Sequence, residues 1–399
     1  MRTKLFLIVA LATLTASVSS SRAEDISGLG TRADIFKPQF EALSFRNMDA
    51  LFPSRKIARS GGASKLPLAA KQISDVPYKY KGDRTLIDFL KRSRTTSFLV
   101  IKDGRISMER YFDGASPAST FTSWSVGKSF TSTLVGLALA DGKISSIDDP
   151  VTRYIPELKG SGYDGVPIKD VLQMSTGVKF VEEYKDTPES DVSRMWADCM
   201  VREKMGLNDF AKSVPGGAEK PGTKFIYRSV DTQVLGWLVE RVTGKHIADI
   251  LSERIWKPLG MEHDASWLVD GKGTEAAFCC INATARDYAR FGMLFLNDGN
   301  WNGSQLVPAS WAKDATAPQS SQVGYGKLYP GDPSGYGYQW WIMSPGAFSA
   351  EGVHFQFIYV NRPEKLVIVK TSALPTPWDD ELAIENFAAF NAVAAALHH

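Results

Sequence analysis

Ser125-Val126-Gly127-Lys128 is the stretch on which the reading of this chain turns. A serine hydroxyl is a poor nucleophile at neutral pH and needs a base within hydrogen-bond reach. On a helix, residues three apart share a face, so Lys128 is placed to offer its amine to the Ser125 oxygen one turn away. Val126, Phe130, Leu134, Val135, Leu137 and Ala138 recur at helical spacing, and the pattern stops at Asp141-Gly142. A serine at the start of that helix has a backbone N–H without an intrahelical partner, in a dipole field that favours negative charge. Both suit an oxyanion. To act as a base Lys128 must be neutral, which burial or a nearby cation would achieve by lowering its pKa. The spacing alone is weak, because Ser310-Trp311-Ala312-Lys313 repeats it on what reads as an ordinary helix face.

Two further segments add to it. Pro221-Gly-Thr-Lys-Phe-Ile-Tyr227-Arg-Ser229 is a loop leading into a helical pattern at 230–243. Tyr227 there can share a proton with the serine and lysine, and Ser229 can point the same way or cap the helix. Late in the chain, Gly352 within Ala350-Glu351-Gly352-Val353-His354 lets backbone approach a substrate closely. The N–H of Val353 could then complete an oxyanion hole with that of Ser125. Trp340, Trp341, Tyr338 and the 180–200 segment are candidates for pocket walls.

Working outward, Ser97–Ile101, Asp103-Gly104 and Arg105–Phe112 read as a β-hairpin, since Asp-Gly supplies the positive φ that hairpin turns favour. Further helices are expected at 167–174, 246–256 and 285–296. Strands return at 336–343 and as a hairpin at 355–360 and 365–370, and an Ala-rich helix closes the chain at 379–397. Strands at both ends with helices between imply an antiparallel sheet built from the two chain ends, with a mainly helical insert. Residues 24–84 read as a polar, irregular extension.

The first 23 residues combine Arg2 and Lys4, an apolar run from Leu5 to Leu14, and the small residues Ser21 and Ala23. That is the layout of an export signal, and the run falls short of the roughly 20 apolar residues of a membrane span. Removing Arg2, Lys4 and Arg22 leaves 43 basic groups against 44 acidic ones. Such a balance gives no footprint for nucleic acid and no polybasic membrane patch. Of the three cysteines, Cys199, Cys279 and Cys280, an odd number leaves one unpaired. Neighbouring cysteines rarely bridge, so buried thiols are expected, with a bridge from Cys199 to one of the pair as the alternative. His246, His263, His398 and His399 form no metal-binding pattern, and neither a metal nor another cofactor is expected.

Taken together, the three segments resemble the serine β-lactamase and penicillin-binding-protein superfamily. More narrowly, they resemble its class C-like branch, with esterases and 6-aminohexanoate-dimer (nylon-oligomer) hydrolases. The likeness runs over about 85–395 and takes in Asp149-Pro150-Val151, Leu172-Gln-Met-Ser-Thr-Gly177, Leu235-Gly236-Trp237, Thr243-Gly244-Lys245 and Lys257-Pro-Leu-Gly-Met261. It implies an α/β (α+β) fold of the β-lactamase/DD-peptidase type, with an α/β part from 85–120 and 270–399 and a helical part over 121–269. It also implies Ser125 as nucleophile, Lys128 and Tyr227 as general base and acid, and Ser229 and Gly352 at the substrate, where His354 and Trp340 are further candidates. The family's Lys-Thr-Gly strand maps to Ala350-Glu351-Gly352, so the cation that binds a β-lactam or peptide carboxylate is missing, although His354 is a possible substitute. An ester or small amide is therefore the expected substrate, for an exported monomer or homodimer. Two rivals stand beside this reading. One is a sensor on the same fold that acylates without turnover. The other is a Ser-His-Asp hydrolase using His354, for which Ser123-Trp-Ser125-Val-Gly127 is one residue short of the usual elbow.

Overall fold

In the computed structural model the described residues are 26–185, 187 and 189–398, so the export-signal segment 1–23 lies outside them. The early hairpin forms as its Asp-Gly turn predicts, joining β1 (Thr95–Lys102) to β2 (Arg105–Tyr111), with Asp103 at φ 50° and Gly104 at φ 73°. The other end of the chain supplies β3 (Gly335–Tyr336), β4 (Trp341–Ser344), β5 (Ala347–Gly352), β6 (Gln356–Asn361) and β7 (Leu366–Ser372). They form one antiparallel sheet in the order β3-β4-β5-β6-β7-β1-β2. The two chain ends meet where β7 pairs with β1, from Leu366 opposite Lys102 to Thr371 opposite Ser97.

Side chains alternate across a strand, so each sheet face has its own core. Phe98, Val100, Phe357, Tyr359 and Ile368 pack on one side under α1 (Leu86–Arg92) and the C-terminal helix. Leu99, Ile101, Ile358, Val360 and Val367 join the larger core on the other side, where the helical part begins. That part holds α2 (Gly127–Ala140) and α3 (Ser229–Thr243); α4 (Ala285–Leu296) packs on the same core, and α5 (Asp380–Ala396) is the C-terminal helix. Arg286 of α4 grips Glu109 of β2 with Nε and Nη2 at 2.7 and 2.8 Å, a paired geometry that fixes helix to sheet.

Three expectations change. The extension is not irregular throughout: Ser54–Ile57 pairs with Ala265–Leu268 in a second sheet, which Ile281–Thr284 and Thr120–Thr122 complete. Ile35, Phe45, Met48, Phe52 and Ile57 from the same stretch are buried in the main core. These elements are too short for a period to show in the sequence. The strand expected at 336–343 is broken between β3 and β4, where Gln339 takes φ 65° and its amide bonds Thr232 and the Leu172 carbonyl. The helix expected over 246–256 is α-helical over Ile247–Leu251 and continues as a π-helical turn over Ser252–Trp256.

Candidate active site

The chain leaves the second sheet at Thr122 and turns at once. Ser123 pins the turn: its N–H donates to the Ile281 carbonyl at 2.7 Å, and its Oγ accepts the Ile281 N–H at 3.0 Å. Trp124 then takes φ 42°, a left-handed conformation that costs a bulky residue roughly 1–3 kcal/mol and that clusters at functional sites. Ser125 sits in the short 3₁₀ turn Trp124–Val126, just ahead of α2 rather than inside it. Gly352 ends β5 against this turn: a Cβ there would lie 2.8 Å from the Ser123 carbonyl oxygen and 3.0 Å from the Ser125 nitrogen. Only glycine lets the strand come so close to the Ser125 backbone, and Val353 follows it in the chain.

Lys128 is fully buried, and its Nζ lies 3.0 Å from each of three oxygens: Ser125 Oγ, Ser229 Oγ and the Phe278 carbonyl. Ser229 gives its own proton to Glu182 Oε1 at 2.5 Å, so toward Lys128 its oxygen is an acceptor. The Phe278 carbonyl is an acceptor by nature. These two therefore claim two amine hydrogens, and in the neutral amine the lone pair is left for Ser125. Burial pushes the Lys128 pKa down to about 8, against the opposing pull of the Glu182 and Asp231 charges.

Burial holds the Tyr227 phenol well above the ordinary range, with the neighbouring Ser125 side chain pulling it back. Its ring stacks on Trp341, with centroids 5.7 Å apart, and lies 5.0 Å from Lys128 Nζ. The loop carrying it is tied down by Ile226 N–H on the Met174 carbonyl at 2.9 Å. Ser229 is the first residue of α3 rather than its cap, which leaves its hydroxyl for Lys128 and Glu182.

The structure thus brings together Ser125, Lys128, Tyr227, Ser229 and Gly352, and places two other candidates elsewhere. Trp340 is buried in the core against Phe291, Phe295 and Phe348, so it lines no pocket; strand alternation gives that place beside Tyr227 to Trp341. His354 is also buried, with Nδ1 2.7 Å from the Leu374 carbonyl and its ring among Phe36, Phe45 and Trp124. That carbonyl takes the Nδ1 proton, no carboxylate among the described residues bonds the ring, and burial lowers its pKa to about 4. It is a neutral packing group behind Trp124, not a triad base or a carboxylate-binding cation.

Sequence reasoning missed three groups. Glu182 accepts the Ser229 N–H at 2.8 Å and the Tyr184 hydroxyl at 2.7 Å as well as the Ser229 hydroxyl. Phe278 contributes a backbone carbonyl, which has no signature in a sequence. Glu351 is buried with Oε1 unpaired, and burial raises its pKa to about 8. The expectation of buried thiols holds for Cys199 and fails for the neighbouring pair. Cys279 and Cys280 are joined to each other, with a 2.00 Å S–S distance, and Cys199 is the buried free thiol. A left-handed Cys280, at φ 71°, bends the backbone so that neighbours can bond. Among the described residues, Glu240, His246 and Glu275 bring donor atoms within 4.8 Å of one another, and none of these belongs to the Ser125 site.

Comparison with known proteins agrees with this geometry. The model of the Beta-lactamase family matches residues 83–390. A 6-aminohexanoate-dimer hydrolase of Paenarthrobacter ureafaciens is 31% identical over 352 residues, covering 84% of this chain and 86% of that protein. A Bacillus anthracis structure provisionally assigned as a 6-aminohexanoate-dimer hydrolase superposes with a TM-score of 0.84 at 25% identity, over 94% of this chain and 98% of its own. A family VIII carboxylesterase shares the fold, with a TM-score of 0.58 at 15% identity over 77% of this chain and 95% of its own. With most of its length matched and a serine, a lysine and a tyrosine meeting at one turn, the chain belongs to the Beta-lactamase family and is a serine hydrolase of that superfamily.

Proposed function

We propose that this enzyme hydrolyses an ester or a linear amide through an acyl-enzyme on Ser125. The observation that carries the reading is the Lys128 amine, buried, 3.0 Å from Ser125 Oγ, with its other hydrogens claimed by Ser229 and Phe278. Lys128 takes the Ser125 proton as Oγ attacks the carbonyl carbon. The N–H groups of Ser125 and Val353 receive the oxyanion, a contribution of about 3 kcal/mol per donor in comparable sites. Tyr227 passes a proton to the leaving group and recovers one from Lys128. Water, activated by the same pair, then releases the acid.

Charge limits the substrate. Where β-lactam-recognising relatives are expected to carry a cation, this strand has buried Ala350 followed by the acid Glu351. Glu182 adds a second acid, and His354 is neutral and turned away. A carboxylate beside the scissile bond would meet no cation on this strand, where burial keeps Glu351 protonated at neutral pH, so the substrate is an uncharged ester or a short linear amide of the kind named for the P. ureafaciens relative. The basic and apolar start of the chain supports action outside the cytoplasm.

The test is hydrolysis of a short-chain nitrophenyl ester, a linear amide dimer and a chromogenic cephalosporin by wild type and Ser125→Ala. The reading expects turnover of the ester or the amide, little cephalosporin cleavage, and a loss of at least about 10³-fold in Ser125→Ala. Efficient cephalosporin turnover would refute the charge argument. A stable adduct without turnover would replace a hydrolase by a sensor.

A further inference from the structure

We propose that the disulfide between the neighbours Cys279 and Cys280 is a positioning element for Lys128: it fixes the turn that presents the Phe278 carbonyl to the amine. This rests on the reading of Lys128 as the base. A disulfide ordinarily stabilises by closing a loop, and the gain grows with loop length. Here the sequence separation is one, so there is no loop to close. The bond acts only on local backbone geometry, and that geometry lies against the catalytic turn.

Cys279 packs so tightly on the Ser125–Lys128 segment that a Cβ at Gly127 would lie 3.1 Å from its Cα and carbonyl carbon. The flanks of the pair are tied down: Trp267 Nε1 donates to the Cys279 carbonyl at 2.8 Å, Leu268 N–H to the Cys280 carbonyl at 3.1 Å, and Ile281 N–H to Ser123 Oγ at 3.0 Å. Between them Cys280 holds φ 71°, where a residue with a side chain rarely rests. The small ring closed by the two sulfurs through the intervening peptide keeps it there. Phe278, immediately before the pair, accepts from Lys128 Nζ at 3.0 Å.

Without the bond, Cys280 relaxes out of the left-handed region and the Phe278 carbonyl leaves Nζ. An amine hydrogen is then free to turn toward Ser125, and the lone pair is no longer held on the serine. A dithiol brings this about: the S–S bond breaks, the two sulfurs take up two electrons and two protons, and the reductant leaves as its own cyclic disulfide. The other groups facing Lys128, the Glu182 and Asp231 carboxylates and the Tyr227 and Phe278 rings, belong to the frame the amine then samples. Cys199, buried and unpaired, is not part of the device.

The experiment compares the full chain untreated, treated with dithiothreitol under an ester assay, and as two variants, Cys279→Ser/Cys280→Ser and Cys279→Ser/Cys280→Gly. Intact mass counts the hydrogens gained on reduction. Reduction and the Ser/Ser variant should each lower kcat about tenfold or more with KM unchanged. They should also move the acid limb of the kcat profile to lower pH, because a carbonyl that stabilised the ammonium is gone. The Ser/Gly variant, whose glycine accepts the left-handed turn unaided, should recover most of kcat. Wild-type kcat and pH profile in reduced protein or in Ser/Ser would overturn the proposal, as would an active untreated enzyme that carries both thiols. If Ser/Ser does not fold, reduced wild type and Ser/Gly decide. Should Lys128→Ala keep full turnover, it is the assignment of the base that fails, whatever the disulfide does.

Discussion

The role proposed for Lys128 is opposed to its contribution to stability. Its pKa of about 8, against an ordinary 10.5, means that the folded chain binds that proton less tightly than the unfolded chain. The penalty is in full force below about pH 8 and fades as the pH rises toward 10.5. At pH 7 it amounts to about 3 kcal/mol. Accordingly kcat/KM for an ester should rise about tenfold per pH unit below about 8 and level off above it, as a pH–rate profile will record. Lys128→Met should abolish turnover yet gain about 2 kcal/mol in urea unfolding at pH 7, with the gain shrinking at pH 10. Glu351 has the opposite sign. Burial raises its pKa from 4.5 to about 8, so the folded state keeps a proton that the unfolded state releases. Stability from this group is present at low pH and lost as the pH climbs from 4.5 through 8. Glu351→Gln should therefore stabilise the protein by roughly 3–5 kcal/mol at pH 9 and hardly at all at pH 4. Equal shifts in melting temperature at the two pH values would contradict that.

Among the elements, α2 carries the main burden, because it must hold Lys128 beneath Ser125 while being enclosed on nearly every side from Gly127 to Ala138. Gly136 faces the Trp311 ring, and a Cβ there would lie 2.4 Å from ring carbon. Gly136→Ala should cost about 1–3 kcal/mol in thermal or urea unfolding, with kcat unchanged well below the melting temperature. A loss of kcat at full stability would mean that α2 transmits small shifts to Lys128. The main helices and both hairpins were legible because apolar spacing, and in the first hairpin the Asp103-Gly104 turn, act locally. The break between β3 and β4 was not, since Gln339 takes its conformation from partners on Thr232 and Leu172, far away in the chain.

Across the whole molecule, the sheet joins the two chain ends through β1 and β7, and the helical part comes to lie over one face. Strand and helix periods announced that layout before any contact was known. Ser125 and Lys128 could be proposed from residue type at short spacing, and Tyr227 from its place two residues before Ser229 in a loop that leads into a helix. Glu182 and the Phe278 carbonyl meet Lys128 only through the tertiary fold, the latter at a sequence separation of 150, and neither carries a local signal. Trp340 and Trp341 could not be told apart as pocket walls without the strand register, which decides the face of each. The Cys279–Cys280 bond was missed because the rule against bridged neighbours assumes ordinary backbone, and Cys280 is left-handed.

The central claim is that Lys128 activates Ser125 as the nucleophile. Acid-quenched reaction with a nitrophenyl ester, followed by intact mass and peptide mapping, tests it most directly. The account predicts an acyl group on the peptide containing Ser125, none on Ser125→Ala, and adduct formation in Lys128→Ala slower by at least about 10²-fold. An acyl group on another residue, or an unchanged acylation rate in Lys128→Ala, would contradict it.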